Sequence, residues 1–168
     1  MTLQISTDWN GTYTVCEDSI TRYNLKGRQV SPGLLVKEHY TQVQEILHLL
    51  TLLERGKCYE SMEPYWHDEA EYEGVLHFSE ILTKLDEQFA LLKVPEKYQS
   101  DLYEIEYLMK TLREGRYYEN KIHHHPGIPR IETLGKRLMD ASIDMIWRMD
   151  NKSPSKQEDI AESYRKHR

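Results

Sequence analysis

The stretch SPGLLVKEHYTQVQEILHLLTLLERG, residues 31–56, contains a helix start, a helical apolar face and a helix stop. Ser31 can cap a helix whose first residue is Pro32, since a serine side chain accepts backbone N–H groups and proline suits the first turn. One face then recurs at three- and four-residue spacing: Leu35, His39, Val43, Ile46, Leu47, Leu50 and Leu53. Gly56 provides a stop signal. The pattern predicts a helix over 32–55.

Three later segments show the same helical periodicity. The first runs from about 65 to 92, contains Gly74, and ends before Val94-Pro95 because the residue before a proline avoids the helical region. The others run from about 96 to 118 and from 130 to about 150. Their strongest apolar faces are Phe78, Ile81, Leu82, Leu85, Phe89 and Leu92; Tyr98, Leu102, Ile105, Leu108, Met109 and Leu112; and Ile131, Leu134, Leu138, Ala141, Met145, Ile146 and Met149. Four long helices joined by short loops favour an antiparallel bundle.

The first 30 residues have a different pattern. Asn10-Gly11 favours a tight hairpin turn, and the β-branched and aromatic run Thr12–Cys16 suits a strand. A third short strand over Ser19–Tyr23 is a further possibility at this stage. At the other end, Ser155 and Glu158 have capping-box spacing, which favours a short helix over about 155–166.

The prediction is therefore a mainly α fold: an antiparallel bundle of about four long helices with an N-terminal β-hairpin and a short C-terminal helix. We expect one helical domain over 1–150, with the hairpin region in 1–30 and the bundle in 31–150. Residues 151–168 are expected to form a polar tail. A chain of 168 residues fits a single domain.

Charge and hydropathy exclude several classes of protein. The net charge of −6, from 28 acidic and 22 basic residues, disfavours non-specific nucleic-acid binding. No apolar run approaches the roughly 18 residues of a membrane span, and the N-terminus lacks the pattern of a secretory signal. The two cysteines have no zinc or CxxC spacing, so we expect reduced thiols in a cytoplasmic protein.

The first candidate site is an acidic and aromatic stretch over residues 60–73, which has six carboxylates and one histidine. Exposed aromatic rings among charges are typical of protein-binding surfaces, and the carboxylates would attract a basic partner. A solvated acidic face and a divalent-metal site are the alternatives. The residues predicted to bind a partner are Tyr65, Trp66, Glu69, Glu71, Tyr72 and Glu73. The chain's 12 tyrosines against 2 phenylalanines fit either an interface or packing at the core boundary.

The second candidate site is the basic, histidine-rich stretch over residues 113–130. Arginine and tyrosine together can pair with phosphate and stack on bases, and histidine can transfer protons near neutral pH. The residues that would hold a phosphate or nucleotide are Arg113, Arg116, Tyr117, His123, His124, His125 and Arg130. A polar loop with protonatable surface imidazoles is the alternative.

Metal and nucleophile chemistry have weaker signals. Glu45 and His48 have the Glu-x-x-His spacing of di-metal bundles, but the second copy that such a site needs is missing. No nucleophile elbow or phosphate-binding loop is present. The sequence thus favours a non-enzymatic, protein-binding or regulatory protein without metal or cofactor. The alternatives are a nucleic-acid or nucleotide-processing enzyme that uses residues 113–130 and a metal-binding helical bundle.

Overall fold

The computed structural model describes residues 3–7, 11–30, 33, 35–55, 76–115 and 130–151. Within these ranges the chain is mainly helical and has an antiparallel sheet at its N-terminus, as predicted. The strands are β1 (Leu3–Thr7), β2 (Gly11–Val15) and β3 (Ile20–Tyr23). The helices are α1 (Tyr40–Glu54), α2 (Phe78–Leu92), α3 (Gln99–Arg113) and α4 (Ile131–Asn151).

The sheet has the strand order β1-β2-β3, so the predicted hairpin is extended by the third strand. Ile5 lies opposite Tyr13, and Tyr13 lies opposite Arg22, which puts these three side chains on one face of the sheet. Ile5 and Tyr13 are buried, and the sheet contacts α4 through β1 and β3. A small sheet needs such a helical support, because an isolated hairpin is marginally stable in water. The predicted turn at Asn10 lies outside the described residues.

The predicted start of the first helix at Pro32 is wrong. Gly33 has a φ of +75°, and its carbonyl accepts a 2.6 Å hydrogen bond from the backbone N–H of Ile20. The backbone N–H of Leu35 donates to the carbonyl of Asp18 at 3.0 Å. The carbonyl of Gly33 and the N–H of Leu35 therefore bond to the segment around the start of β3, and neither can take part in a helix. A short 3-10 turn at Lys37–His39 follows, and α1 begins only after it.

The helix α2 begins later than the predicted segment over 65–92, because His77 caps it. The imidazole Nδ1 of His77 accepts from the backbone N–H of Ser79 at 3.2 Å, while the backbone N–H of His77 donates to Glu80 at 3.3 Å. This reciprocal capping satisfies two N–H groups that lack partners within the helix. The predicted apolar face of this segment is confirmed, since all six of its residues are buried.

The helix α3 is shorter than the prediction of 96–118. A 3-10 turn at Glu96–Tyr98 precedes it, and it ends at Arg113. Gly115, with a φ of +71°, lies in the turn that follows, and a left-handed glycine is a common helix terminator. The predicted apolar face is buried, except that Leu102 is half-buried.

The helix α4 forms the centre of the described structure. It contacts α1, α3 and the sheet, while α2 contacts α1. Every residue from Ser142 to Arg148 is buried, so this half of α4 has no solvent-facing side. The predicted apolar stripe is correct but incomplete, since Met139, Ile143 and Trp147 are buried as well. The predicted helix over 155–166 lies outside the described residues. No described helix is long and apolar enough to cross a bilayer.

Candidate functional site

The acidic and aromatic stretch predicted to bind a partner lies outside the described residues. All six of its candidate residues fall within 56–75: Tyr65, Trp66, Glu69, Glu71, Tyr72 and Glu73. Their role stays a prediction from the sequence. In sequence, the stretch lies between α1 and α2, and these two helices contact each other.

The basic stretch is described only at its two ends, at Arg113 and Arg130. Its other candidate residues, Arg116, Tyr117 and His123 to His125, lie within 116–129, outside the described residues. Arg113, at the end of α3, forms an ion pair with Asp86 of α2, and its Nη2 also donates to the carbonyl of Leu82 at 3.4 Å. One face of this guanidinium therefore holds α3 against α2.

Arg130 lies half-buried immediately before α4, where its carbonyl accepts from the backbone N–H of Leu134 at 3.1 Å. Its Nε is buried, and no hydrogen-bond partner for it lies among the described residues. The two described members of the predicted phosphate site thus lie at the end of α3 and immediately before α4.

The candidate metal residues Glu45 and His48 both lie among the described residues. In α1, Glu45 is half-buried and His48 is exposed. His77 uses Nδ1 to cap α2 and contacts the hydroxyl of Ser79 at 2.6 Å. Among the described residues, no three histidine, cysteine, aspartate or glutamate side chains are arranged to hold a metal ion.

The most exposed aromatic side chains of the described structure lie on α3, and the sequence patterns did not predict them as a site. Tyr103 and Tyr107 are each 64% exposed. Because they are four residues apart, they share one face of the helix. That face is opposite the buried stripe that includes Ile105, Leu108 and Leu112. The signal for them was present in the sequence: neither tyrosine falls on the apolar stripe of its own helix.

Charged side chains surround this tyrosine pair. Glu104 and Glu106 are exposed beside it, and Lys110 follows Tyr107 by three residues on the same side. The side chain of Lys110 is 71% exposed and lies 3.7 Å from the carboxylate of Glu114. The pair therefore presents two rings and two phenolic hydroxyls beside two carboxylates. Such a surface can stack on, hydrogen-bond and attract a cationic side chain.

A second polar arrangement lies in the interior, between the sheet and α4. The phenol of Tyr13 donates to Oδ1 of Asp144 at 2.7 Å, and Oδ2 of Asp144 lies 3.3 Å from Nη2 of Arg148. Trp147 packs edge-on against Tyr13, with the ring centroids 6.3 Å apart. Burial, followed by the charge and the hydrogen bond of Asp144, raises the pKa of Tyr13 well above its usual value. The side chains of Tyr13, Asp144 and Arg148 are all buried, so this network suits structural support and not ligand binding.

A third arrangement joins the beginning of α1 to the end of α4. Oδ1 of Asp150 lies 2.7 Å from Nδ1 of His39, and Oδ2 of Asp150 accepts from the backbone N–H of Val36 at 3.0 Å. The Asp150 side chain is almost fully buried, whereas that of His39 is 20% exposed. A carboxylate in this position fixes the orientation of the imidazole ring.

Comparison with known proteins gives no further assignment. No protein-family model, curated protein or solved structure matches this chain. The surface of α3 is the described feature with the composition of a binding site, because exposed tyrosines among charges are common where proteins bind one another.

Proposed function

We propose that this chain is a non-enzymatic, protein-binding or regulatory protein, of the inhibitor, immunity or adaptor type, that acts through a charged, tyrosine-rich surface. The observation that supports it is the pair Tyr103 and Tyr107, each 64% exposed on α3. Tyrosine gives large contact area for little loss of side-chain entropy, and it is enriched at binding surfaces. Two neighbouring rings on one helix face provide apolar contact area that a partner can cover.

The proposed partner has a basic surface. Glu104 and Glu106 flank the tyrosine pair, and the whole chain has a net charge of −6. Opposite charge would speed the encounter with a basic partner, and the rings would then stack on its lysine or arginine side chains. The acidic residues of the 60–73 stretch would extend this complementarity, in agreement with the sequence prediction.

The proposed architecture and location complete this hypothesis. We infer that the four helices form an antiparallel bundle, which the contacts of α4 with α1 and α3 and of α1 with α2 support. A bundle offers a rigid helix face, and rigid faces bind with little loss of conformational entropy.

A cytoplasmic location is proposed from the two widely spaced cysteines, of which Cys16 is a free thiol.

The enzyme alternative has less support from the described residues. A phosphate site over 113–130 would need Arg113 to reach its ligand, and that guanidinium contacts Asp86 and Leu82. Nuclease and nucleotide-hydrolysis assays on the wild type and on His124→Ala would test this alternative directly.

Affinity capture from the native host, read by quantitative mass spectrometry, tests the proposed function. The test variant is Tyr103→Ser with Tyr107→Ser, and the control is Leu91→Ser, which removes a side chain that is 59% exposed on α2. We expect a specific partner to be retained by the wild type and by the control and lost from the double variant. The same partner should elute as salt rises, because screening weakens attraction between opposite charges.

A second double variant tests which of the two proposed surfaces contacts the partner. Glu69→Lys with Glu71→Lys reverses the charge of the sequence-predicted stretch and leaves α3 unchanged. Weaker capture by these variants as well would show that both surfaces contact the partner. If all variants retained the same proteins in the same amounts, the proposed function would be wrong for both surfaces. Circular dichroism on each variant would confirm that the helices are intact.

A further inference from the structure

A groove of about 390 Å³ lies against the sheet and is lined mainly by residues of its outer face. Register places Ser6, Thr12 and Tyr23 in one row across the three strands, and Gln4, Thr14 and Thr21 in the next. Facing residues of neighbouring strands project to the same side, so these six polar side chains form one surface. The turn after β3 closes one end of the groove with Asn24, Leu25 and Gly27.

Two glycines line this groove. A Cβ atom on Gly11 would lie 1.9 Å from the carbonyl oxygen of Tyr23, so the backbones of β2 and β3 approach there more closely than any other residue allows. Gly27 has a φ of +79° and no atom within 4 Å of the position that its Cβ would occupy. Gly11 thus permits the close approach of β2 and β3, while the Cβ position of Gly27 faces open space. The volume falls within the roughly 300–1,000 Å³ typical of small-ligand sites.

Among the described residues, those that line the groove are uncharged, although 30% of the chain is charged. An anionic or cationic ligand would therefore lose water without gaining a counter-charge from the lining. The lining is not apolar either, since most of its residues are threonines, amides and a tyrosine. A neutral ligand with many hydroxyl groups fits this chemistry, because hydroxyls and amides both donate and accept hydrogen bonds.

Three polar side chains of this groove are available for a ligand. Among the described residues, Gln4, Thr12 and Thr14 have no side-chain hydrogen bond to another residue. Asn24 behaves differently, because its Oδ1 accepts from the backbone N–H groups of Lys26 and Arg28 at 2.9 and 3.0 Å. That turn is thereby fixed, and the amide nitrogen of Asn24 is left to donate elsewhere.

An apolar element completes the site. Tyr23 lines the groove, and Leu25, at 69% exposed, is the most exposed large apolar residue of the described structure. A pyranose ring has hydroxyl groups at its edge and C–H groups on its face, so it can hydrogen-bond to the threonines while its face covers an aromatic ring or a leucine. We propose that this groove is a binding site for a neutral oligosaccharide, with the ring face on Tyr23 and Leu25 and the hydroxyls on Gln4, Thr12 and Thr14.

Nuclear magnetic resonance on the ¹⁵N-labelled full chain tests this proposal, because it locates binding as well as detecting it. The probes are maltotriose, cellotriose, mannotriose and N-acetylchitotriose, each titrated to millimolar concentration, with adenosine and uridine as non-saccharide ligands. We expect at least one saccharide to shift the amide signals of Gly11, Thr12, Thr14 and Gly27 more than those of the helices. Shifts at these amides with a nucleoside but with no saccharide would overturn the assignment, as would an absence of shifts with every probe.

Matched variants decide whether the named groups make the contacts. Thr12→Val with Thr14→Val removes two hydroxyls and keeps the β-branched shape that strands favour, so the sheet is retained. Loss of two hydrogen bonds would weaken binding by about tenfold or more. Thr21→Val is the control, since Thr21 lies on the same sheet face but does not line the groove.

Tyr23→Phe should bind nearly as tightly as the wild type, whereas Tyr23→Ala should not. Equal affinity of the wild type and the threonine double variant would show that the groove is not the site.

Discussion

Tyr13 of β2 and Asp144 of α4 are joined by a 2.7 Å hydrogen bond across 131 positions of sequence. The same carboxylate lies 3.3 Å from the guanidinium of Arg148, one helical turn further along α4. Since all three residues are buried, the sheet is attached to the central helix through a polar contact in the interior. In a low-dielectric interior such a contact is strong when complete and costly when one member is lost.

Removing the phenolic hydroxyl in Tyr13→Phe should destabilise the fold. The ring still fills its place against Trp147, but Asp144 loses a buried hydrogen-bond donor. Leaving such a group unsatisfied costs about 1–3 kcal/mol. Urea unfolding of both proteins measures the difference, and Tyr103→Phe, on the exposed face of α3, should change the free energy of unfolding by much less. Equal stability of Tyr13→Phe and the wild type would mean that the interior hydrogen bond is replaced by another.

The same tyrosine should make the protein sensitive to alkaline pH. Burial, with Asp144, raises the pKa of Tyr13 in the folded state, while in the unfolded chain its phenol titrates near an ordinary pKa of about 10. Above that pH the unfolded chain releases a proton that the folded protein keeps. The free energy of unfolding therefore falls as pH rises, by up to about 1.4 kcal/mol per pH unit for this one group. Urea unfolding at several pH values above about 9 should give a steeper decline for the wild type than for Tyr13→Phe. Equal slopes of the free energy of unfolding against pH in the two proteins would contradict a raised pKa of Tyr13 in the folded state.

Local periodicity predicted the helices well where burial alone decides the structure. In α2 every residue of the predicted apolar face is buried, because positions three and four apart must share one side of a helix. The start of α1 could not be predicted in this way. Its first residues are held outside the helix by hydrogen bonds from Ile20 to Gly33 and from Leu35 to Asp18, and these join segments that are distant in sequence.

The candidate sites show the limits of composition as a guide. The stretches around Glu69 and His124 were found because charge or histidine is concentrated there, and their roles stay predictions. The tyrosine pair on α3 is not concentrated in sequence, and it becomes visible only when exposure separates Tyr103 and Tyr107 from the buried stripe. The interior role of Asp144 is harder still to predict, since an aspartate within a long helix usually faces solvent.

The link between the ends of α1 and α4 should respond strongly to Asp150→Ala. This change removes the acceptor for the backbone N–H of Val36 and the partner of the His39 imidazole. Since the carboxylate is almost fully buried, we expect a loss of about 1–3 kcal/mol in the free energy of unfolding and faster hydrogen exchange at the Val36 amide. The matched control is Asp140→Ala, on the same helix.

Asp140 pairs with Lys136 at 2.7 Å, in an i,i+4 contact that is partly exposed. Its loss should cost less, about 0.3–1 kcal/mol, because both side chains remain partly in contact with water. Similar effects of the two alanine variants, or unchanged exchange at Val36 in Asp150→Ala, would show that this carboxylate does not hold the two helix ends together.

Gly135 of α4 should resist a substitution that normally stabilises helices. Glycine to alanine in a helix usually adds about 0.5–1 kcal/mol of stability, because alanine has less backbone freedom to lose. At Gly135, however, a Cβ atom would lie 2.8 Å from the backbone nitrogen of Glu54 and 2.9 Å from the carbonyl carbon of Leu53, both at the end of α1. Backbone atoms cannot move aside as a flexible side chain can, so α1 and α4 must separate.

We expect Gly135→Ala to lower the free energy of unfolding by about 1–3 kcal/mol in urea unfolding. Thr133→Ala, on the exposed side of the same helical turn, should be neutral or slightly stabilising. A Gly135→Ala protein as stable as the wild type would mean that the two helices do not approach so closely at this crossing.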